Sequence, residues 1–166
     1  DSSAASDVYK RQPDDISSLS PVGWWRMGDN DSGSGTTITD QGSGGNDGTL
    51  VNGPTFSTDV PVAPSFNNSR SLSYDGTNDY ARVTGLALSG ATSFSMWFNA
   101  QESVNNYPLM HMDANGLFID IASNNLRCIL YDNASGDGSQ IYKVNGSTGG
   151  ISVGTWFHIA AVSYTH

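Results

Sequence analysis

No amphipathic helical period persists along this chain for three turns. Apolar residues come instead in short runs, each closed by Gly, Asn, Asp or Pro, which restricts the fold to short strands joined by turns. The runs predict strands at about Val22–Met27, Thr49–Asn52, Ser71–Tyr74, Tyr80–Thr84 and Phe94–Ala100. Further strands are expected at Leu109–Met112, Leu117–Ile121, Leu126–Tyr131, Gln140–Val144 and Trp156–Val162. Asp75-Gly76, Asp113-Ala114-Asn115-Gly116, Ser123-Asn124-Asn125 and Asn145-Gly146 are turn signals between them. Phe94, Met96 and Phe98 alternate with Ser93, Ser95, Trp97 and Asn99, so one side of that strand should line a core. In Trp156–Val162 both sides are apolar, which predicts a central strand covered on both faces. The expected fold class is all-β, an antiparallel two-sheet β-sandwich.

The 166 residues suit one domain, expected over 22–162 after a linker at 13–21. Four Trp, seven Tyr and six Phe supply apolar bulk that a disordered chain lacks. Of the 16 acidic residues only Glu102 is a glutamate, and the aspartates favour loops and turns over helix interiors. A net charge of -9, with seven Lys and Arg in no patch or stripe, argues against a nucleic-acid partner. The single cysteine, Cys128, cannot form an internal disulfide. No apolar run approaches the roughly 18 residues of a membrane span, so no membrane insertion is expected. Residues 2–12, SSAASDVYKRQ, resemble the translation of a sequencing adapter, and Ser163–His166 resembles its counterpart. Residues 1–12 and 163–166 are therefore expected to be non-native tails.

Five blocks then come in order: Gly23-Trp24-Trp25-Arg26-Met27-Gly28-Asp29, Thr39-Asp40-Gln41-Gly42 running on to Asn46-Asp47-Gly48-Thr49-Leu50, and Leu72-Ser73-Tyr74-Asp75-Gly76-Thr77-Asn78-Asp79-Tyr80. They continue with Phe94-Ser95-Met96-Trp97-Phe98 and Gly154-Thr155-Trp156-Phe157-His158-Ile159-Ala160-Ala161-Val162. Together they resemble the laminin-G-like domains of the concanavalin A-like lectin and glucanase superfamily. The resemblance implies a concanavalin-like jelly roll, and it implies that the C-terminal strands of the sandwich are missing. It also implies an extracellular, cell-surface or virion-surface recognition module for carbohydrate or protein. The alternatives are a structural spacer in a large adhesin or tail fibre, or a fragment of a glycoside hydrolase.

Hydrolysis of a glycosidic bond needs paired carboxylates, and the alternating Glu-Asp-Glu of the glucanase members is absent here, so no enzyme is expected. No nucleophile elbow is present. Cys128 lies in an apolar run and reads as a small buried hydrophobe. His158 falls on an inward-facing period and reads as a core histidine, and no His or Cys stands at metal-ligand spacing from His111 in the sequence. Calcium is the cofactor to expect, because loops rich in Asp, Asn and Gly supply several hard oxygen ligands. Asp29, Asp31, Asp40, Asn46 and Asp47 are the candidate ligands, although their spacing is not that of an EF-hand. The alternative reading is that these residues make Asx turns. For a glycan partner the candidates are Tyr107 and Tyr131 as stacking rings, with Asp132 and Asn133 for hydroxyls.

Overall fold

In the computed structural model the chain is all-β. The described residues are 16–62, 68–86, 92–102, 107–112, 117–123, 125–132, 139–146 and 150–163, and no α-helix occurs among them. Their contacts group into two compact units, residues 1–87 and 88–166.

The first unit holds β1 (Thr37–Ile38), β2 (Gly48–Val51), β3 (Thr55–Ser57), β4 (Ser71–Ser73) and β5 (Tyr80–Val83). β1, β2 and β5 form an antiparallel sheet in that order, and β3 pairs antiparallel with β4. Alternation sorts the sheet's two faces: Ile38 and Leu50 are buried, while Thr37, Thr49 and Arg82 on the other side are exposed. Gly48 is required on the buried face, because a Cβ there would lie 2.6 Å from Ile38 Cγ1.

The second unit holds β6 (Thr92–Asn99), β7 (Tyr107–Met112), β8 (Leu117–Ala122), β9 (Asn125–Asp132), β10 (Ser139–Gly146) and β11 (Trp156–Ser163). β10-β9-β8-β7 make one antiparallel sheet, and β6 pairs with β11 along the full length of both. Phe98 and Ile159 from the β6–β11 pair, Ile119 and Ile121 from β8, and Ala100 and Ile151 form one buried cluster. Phe94, Met96, Met110, Leu126 and Cys128 pack against it, so side chains from both sheets meet in a shared interior. That makes this unit a two-sheet sandwich. Each buried isoleucine contributes roughly 1.5–3 kcal/mol of transfer free energy.

Several expectations need correction. Val22–Met27 is not a strand: its one ladder contact is an isolated bridge between Trp25 and Asp40. The Asp40 carboxylate takes the Trp24 amide that a neighbouring strand would have taken, and Met27 and Gly28 then turn at φ 53° and 116°. β1 and β3 are too short to have shown a period. Asn145 and Gly146 do not turn but extend β10, paired with Arg127 and Leu126. β11 is not covered on both faces. Phe157, Ile159 and Ala161 face the cluster side, whereas His158, Ala160 and Val162 are exposed, Val162 at 53%. His158 is thus not a core residue; its ring lies across the sheet from Trp97, 5.0 Å between centroids. The expected tail at 1–12, the turn at 113–116 and the candidate Asn133 lie outside the described residues.

Candidate functional site

Aspartate side chains brace a set of loops in the first unit. Asp29 and Asp40 are each only 8% exposed, and among the described residues neither forms an ion pair. A buried carboxylate without such a partner must be satisfied by hydrogen-bond donors, and both are.

Asp29 reaches across the chain. Ser69 N–H donates to both of its oxygens at 3.0 Å, Ser69 Oγ donates to Oδ1 at 2.7 Å, and Arg70 N–H donates to Oδ2 at 3.2 Å. Gln41 Nε2 donates to the Asp29 carbonyl at 2.6 Å, which ties the loop after β1 to the same point. Arg26 places its guanidinium on Asn68 Oδ1 at 2.6 and 3.1 Å and over the Trp24 ring at 5.6 Å. Gly28 makes room for this junction: at φ 116°, a Cβ would stand 2.8 Å from the Phe56 ring.

Asp40 works locally. Its Oδ1 accepts the Trp24 and Gly42 amides and its Oδ2 the Asn46 amide, each at 2.8 Å. Burial pushes the Asp40 carboxyl up, but the Trp24, Asn46 and Gly42 amides outweigh burial and hold it below the usual carboxylate range. The Asp40 amide in turn donates to Asp47 Oδ1 at 2.9 Å, and Trp25 Nε1 donates to the Asn46 carbonyl at 2.9 Å. Asp31 accepts Gly33 N–H at 2.8 Å and Thr39 N–H at 3.3 Å. The second acidic turn follows the same logic: Asp75 Oδ1 accepts Thr77 N–H, Asp79 Oδ2 accepts Asp75 N–H, and Gly76 sits at φ 75°.

The five candidate calcium ligands are therefore close in the chain but turned to different tasks. Asp29, Asp31, Asp40 and Asp47 accept backbone amides, and the Asn46 carbonyl accepts an indole N–H. Oxygens engaged in this way do not converge on a common point, and among the described residues no group of three or more His, Cys, Asp or Glu could hold a metal. The donor set fits backbone amides better than a hard cation, which needs six to eight oxygens.

Of the four glycan candidates, Tyr107, Tyr131 and Asp132 lie on described strands. Tyr107 opens β7 and is in register with Ile121, near the end of β8 that begins the turn to β9. Tyr131 and Asp132 close β9 opposite Gln140 and Ser139, beyond the Leu117–Leu130 pair at the other end of β8. Four residue steps along β8 separate the two ends, roughly 13 Å. Cys128 packs against the core, and burial raises its thiol pKa, which disfavours the thiolate. What the sequence did not disclose is the partner segment Asn68–Arg70: no spacing rule links Asp29 to amides about 40 residues on.

Compared with known proteins, the chain matches no family model, no curated protein and no solved structure.

Proposed function

We propose that the chain is a non-catalytic recognition module of the laminin-G-like kind, displayed outside the cell or on a virion, with a carbohydrate or a protein as its ligand. The observation that carries this reading is the bracing of the first unit's loops by the buried carboxylates of Asp29 and Asp40. Binding modules place recognition on loops held by a rigid scaffold, and a loop ordered beforehand loses less entropy when a ligand arrives. Two charged groups kept out of water to order loops suit a surface that must hold its shape. The five sequence blocks that resemble laminin-G-like domains support the same reading. Calcium belongs to this proposal only as an added stabiliser, since amides already occupy the carboxylates of Asp29, Asp31 and Asp40.

A glycan array and an extracellular-protein array, each probed with and without EDTA, test the reading. Binding to a restricted set of glycans or proteins is the expected result. Silence on both arrays would favour a structural spacer, and binding lost on chelation would restore calcium to the site.

A further inference from the structure

The β6–β11 ribbon lacks the devices that close the other edge strands of this chain to further pairing. An open strand edge presents a row of backbone donors and acceptors that another strand can take, and proteins block it with proline, charge, a bulge or brevity. β7 carries Pro108 and a register shift beside it, β10 a register shift between Gln140 and Tyr142, and β5 the charge of Arg82. β1, β3 and β4 have only two or three residues each. β6 and β11 are each eight residues long, pair without a break, and contain no Pro, Gly, Lys, Arg, Asp or Glu. Among the described residues, β11 has β6 on one side and no strand on the other. In a chain of net charge -9, such an uncharged edge is where a like-charged molecule meets the least repulsion.

We infer that β11 is a self-association edge: the β11 strands of two copies pair antiparallel about a two-fold axis and join their β6–β11 ribbons into one continuous sheet. Such pairing asks each residue to fit the one opposite it in the same strand, and one register does this. With the axis through Ile159, Phe157 opposes Ala161 of the second copy on the cluster face, while His158 opposes Ala160 and Trp156 opposes Val162 on the other. Each ring thus faces a small or β-branched side chain, and the two Ile159 residues meet at the axis. A register centred on His158 would stack two imidazoles and set Ala161 and Val162 against residues that precede the strand. One centred on Ala160 would leave Trp156 beyond the end of the second strand. β6 suits self-pairing less: its cluster face carries Phe94, Met96 and Phe98, and every antiparallel register of two β6 strands sets large side chains against each other. Pairing through β11 also covers Val162, which is 53% exposed, with an indole ring.

Sedimentation equilibrium of the whole chain over a range of concentrations tests this. A dimer is expected with a dissociation constant of about 10 µM, as suits an interface smaller than about 1,200 Å². Raised salt should tighten it about threefold by screening the like charges of the two copies. Ala160→Glu sets two carboxylates diagonally across the axis, about 7 Å apart, and should weaken the dimer about tenfold. His158→Lys should weaken it by the same repulsion. Mixed in equal amounts, the two variants should recover the parent affinity as a heterodimer, because positions 158 and 160 face each other and the introduced charges are then opposite. Ala160 is exposed, so the urea midpoint of dilute Ala160→Glu should stay that of the parent, which separates loss of pairing from loss of fold. In hydrogen exchange, the alternate amides of Phe157–Val162 that do not bond β6 should slow as the parent concentration rises. A monomer at every concentration, a dimer unaffected by Ala160→Glu, or no recovery in the mixture would each overturn the inference. So would full protection of those amides in the dilute chain, which would show that another segment of the same chain holds the edge.

Discussion

At the scale of single residues, the structure puts unusual weight on two buried aspartates. Asp29 collects Ser69 N–H, Ser69 Oγ and Arg70 N–H, so Asp29→Ala leaves three donors without their acceptor and removes the link between two distant segments. Hydrogen bonds to a charged group contribute about 1.5–3 kcal/mol each, and they are not additive when they share one acceptor. The expected loss is about 3 kcal/mol in urea unfolding; Asp29→Asn, which keeps one carbonyl oxygen, should lose about half as much. A loss below about 0.5 kcal/mol for Asp29→Ala would mean that the Ser69–Arg70 segment is held by something else. Gly28 is bound to the same junction. At φ 116° with the Phe56 ring 2.8 Å from any added Cβ, Gly28→Ala combines backbone strain with a clash and should cost about 2 kcal/mol or more.

At the scale of elements, the β8–β9 hairpin is pinned by an ion pair. Asp120 is 1% exposed, and Arg127 stands directly opposite it, with Nε donating to Oδ1 at 2.7 Å and a second guanidinium nitrogen donating to Oδ2. Removing either partner strands the other, so Asp120→Ala should destabilise by about 3 kcal/mol. The double change Asp120→Leu with Arg127→Met should recover most of that loss, because an apolar pair avoids the desolvation of two charges. Equal losses for the single and double variants in denaturant unfolding would refute the pairing argument. This hairpin also shows what a sequence can disclose. Leu117–Ile121 is a short apolar run closed by Ser123-Asn124-Asn125, enough to be read as a strand and a turn, and Ser123 does sit in a turn at φ 52°. That Asp120 is buried, and that Arg127 is its partner, follows only from register, which no local pattern carries. The same limit explains Trp24-Trp25: two large apolar residues looked like a strand, but the Asp40 side chain had claimed the amide. β11 misled for a related reason, since apolar residues on both faces of a strand report composition and not what covers them. In the loops, residue type did signal that Asp29, Asp31, Asp40 and Asp47 organise backbone; it could not say whether amides or a cation would take their oxygens.

At the scale of the whole molecule, these local arrangements set how stability depends on pH. Asp40 is held below the ordinary carboxylate range in the folded chain, so its contribution is fully present above the unfolded value near 3.8 and is lost as the pH falls through the lower folded value. His158 acts with the same sign but higher up. Desolvation of the covered part of its ring lowers its pKa from 6.5, so the unfolded chain takes up a proton first, and stability begins to fall once the pH drops below about 6.5. Urea midpoints measured from pH 8 to pH 2 should therefore show a small shoulder starting near pH 6.5, then a steeper loss below pH 4. His158→Gln should erase the shoulder and leave the lower limb in place. Asp40→Asn should lower stability at neutral pH and flatten the acid limb, because position 40 then has no carboxylate to protonate. Solubility follows a separate rule, set by total charge and not by either group: with a pI near 4.3, self-association should peak around that pH. The two effects are separable because light scattering depends on protein concentration and the unfolding midpoint of soluble chain does not. A single smooth decline of the parent midpoint, unaltered by His158→Gln, would show that the Trp97–His158 pair has no part in the acid response.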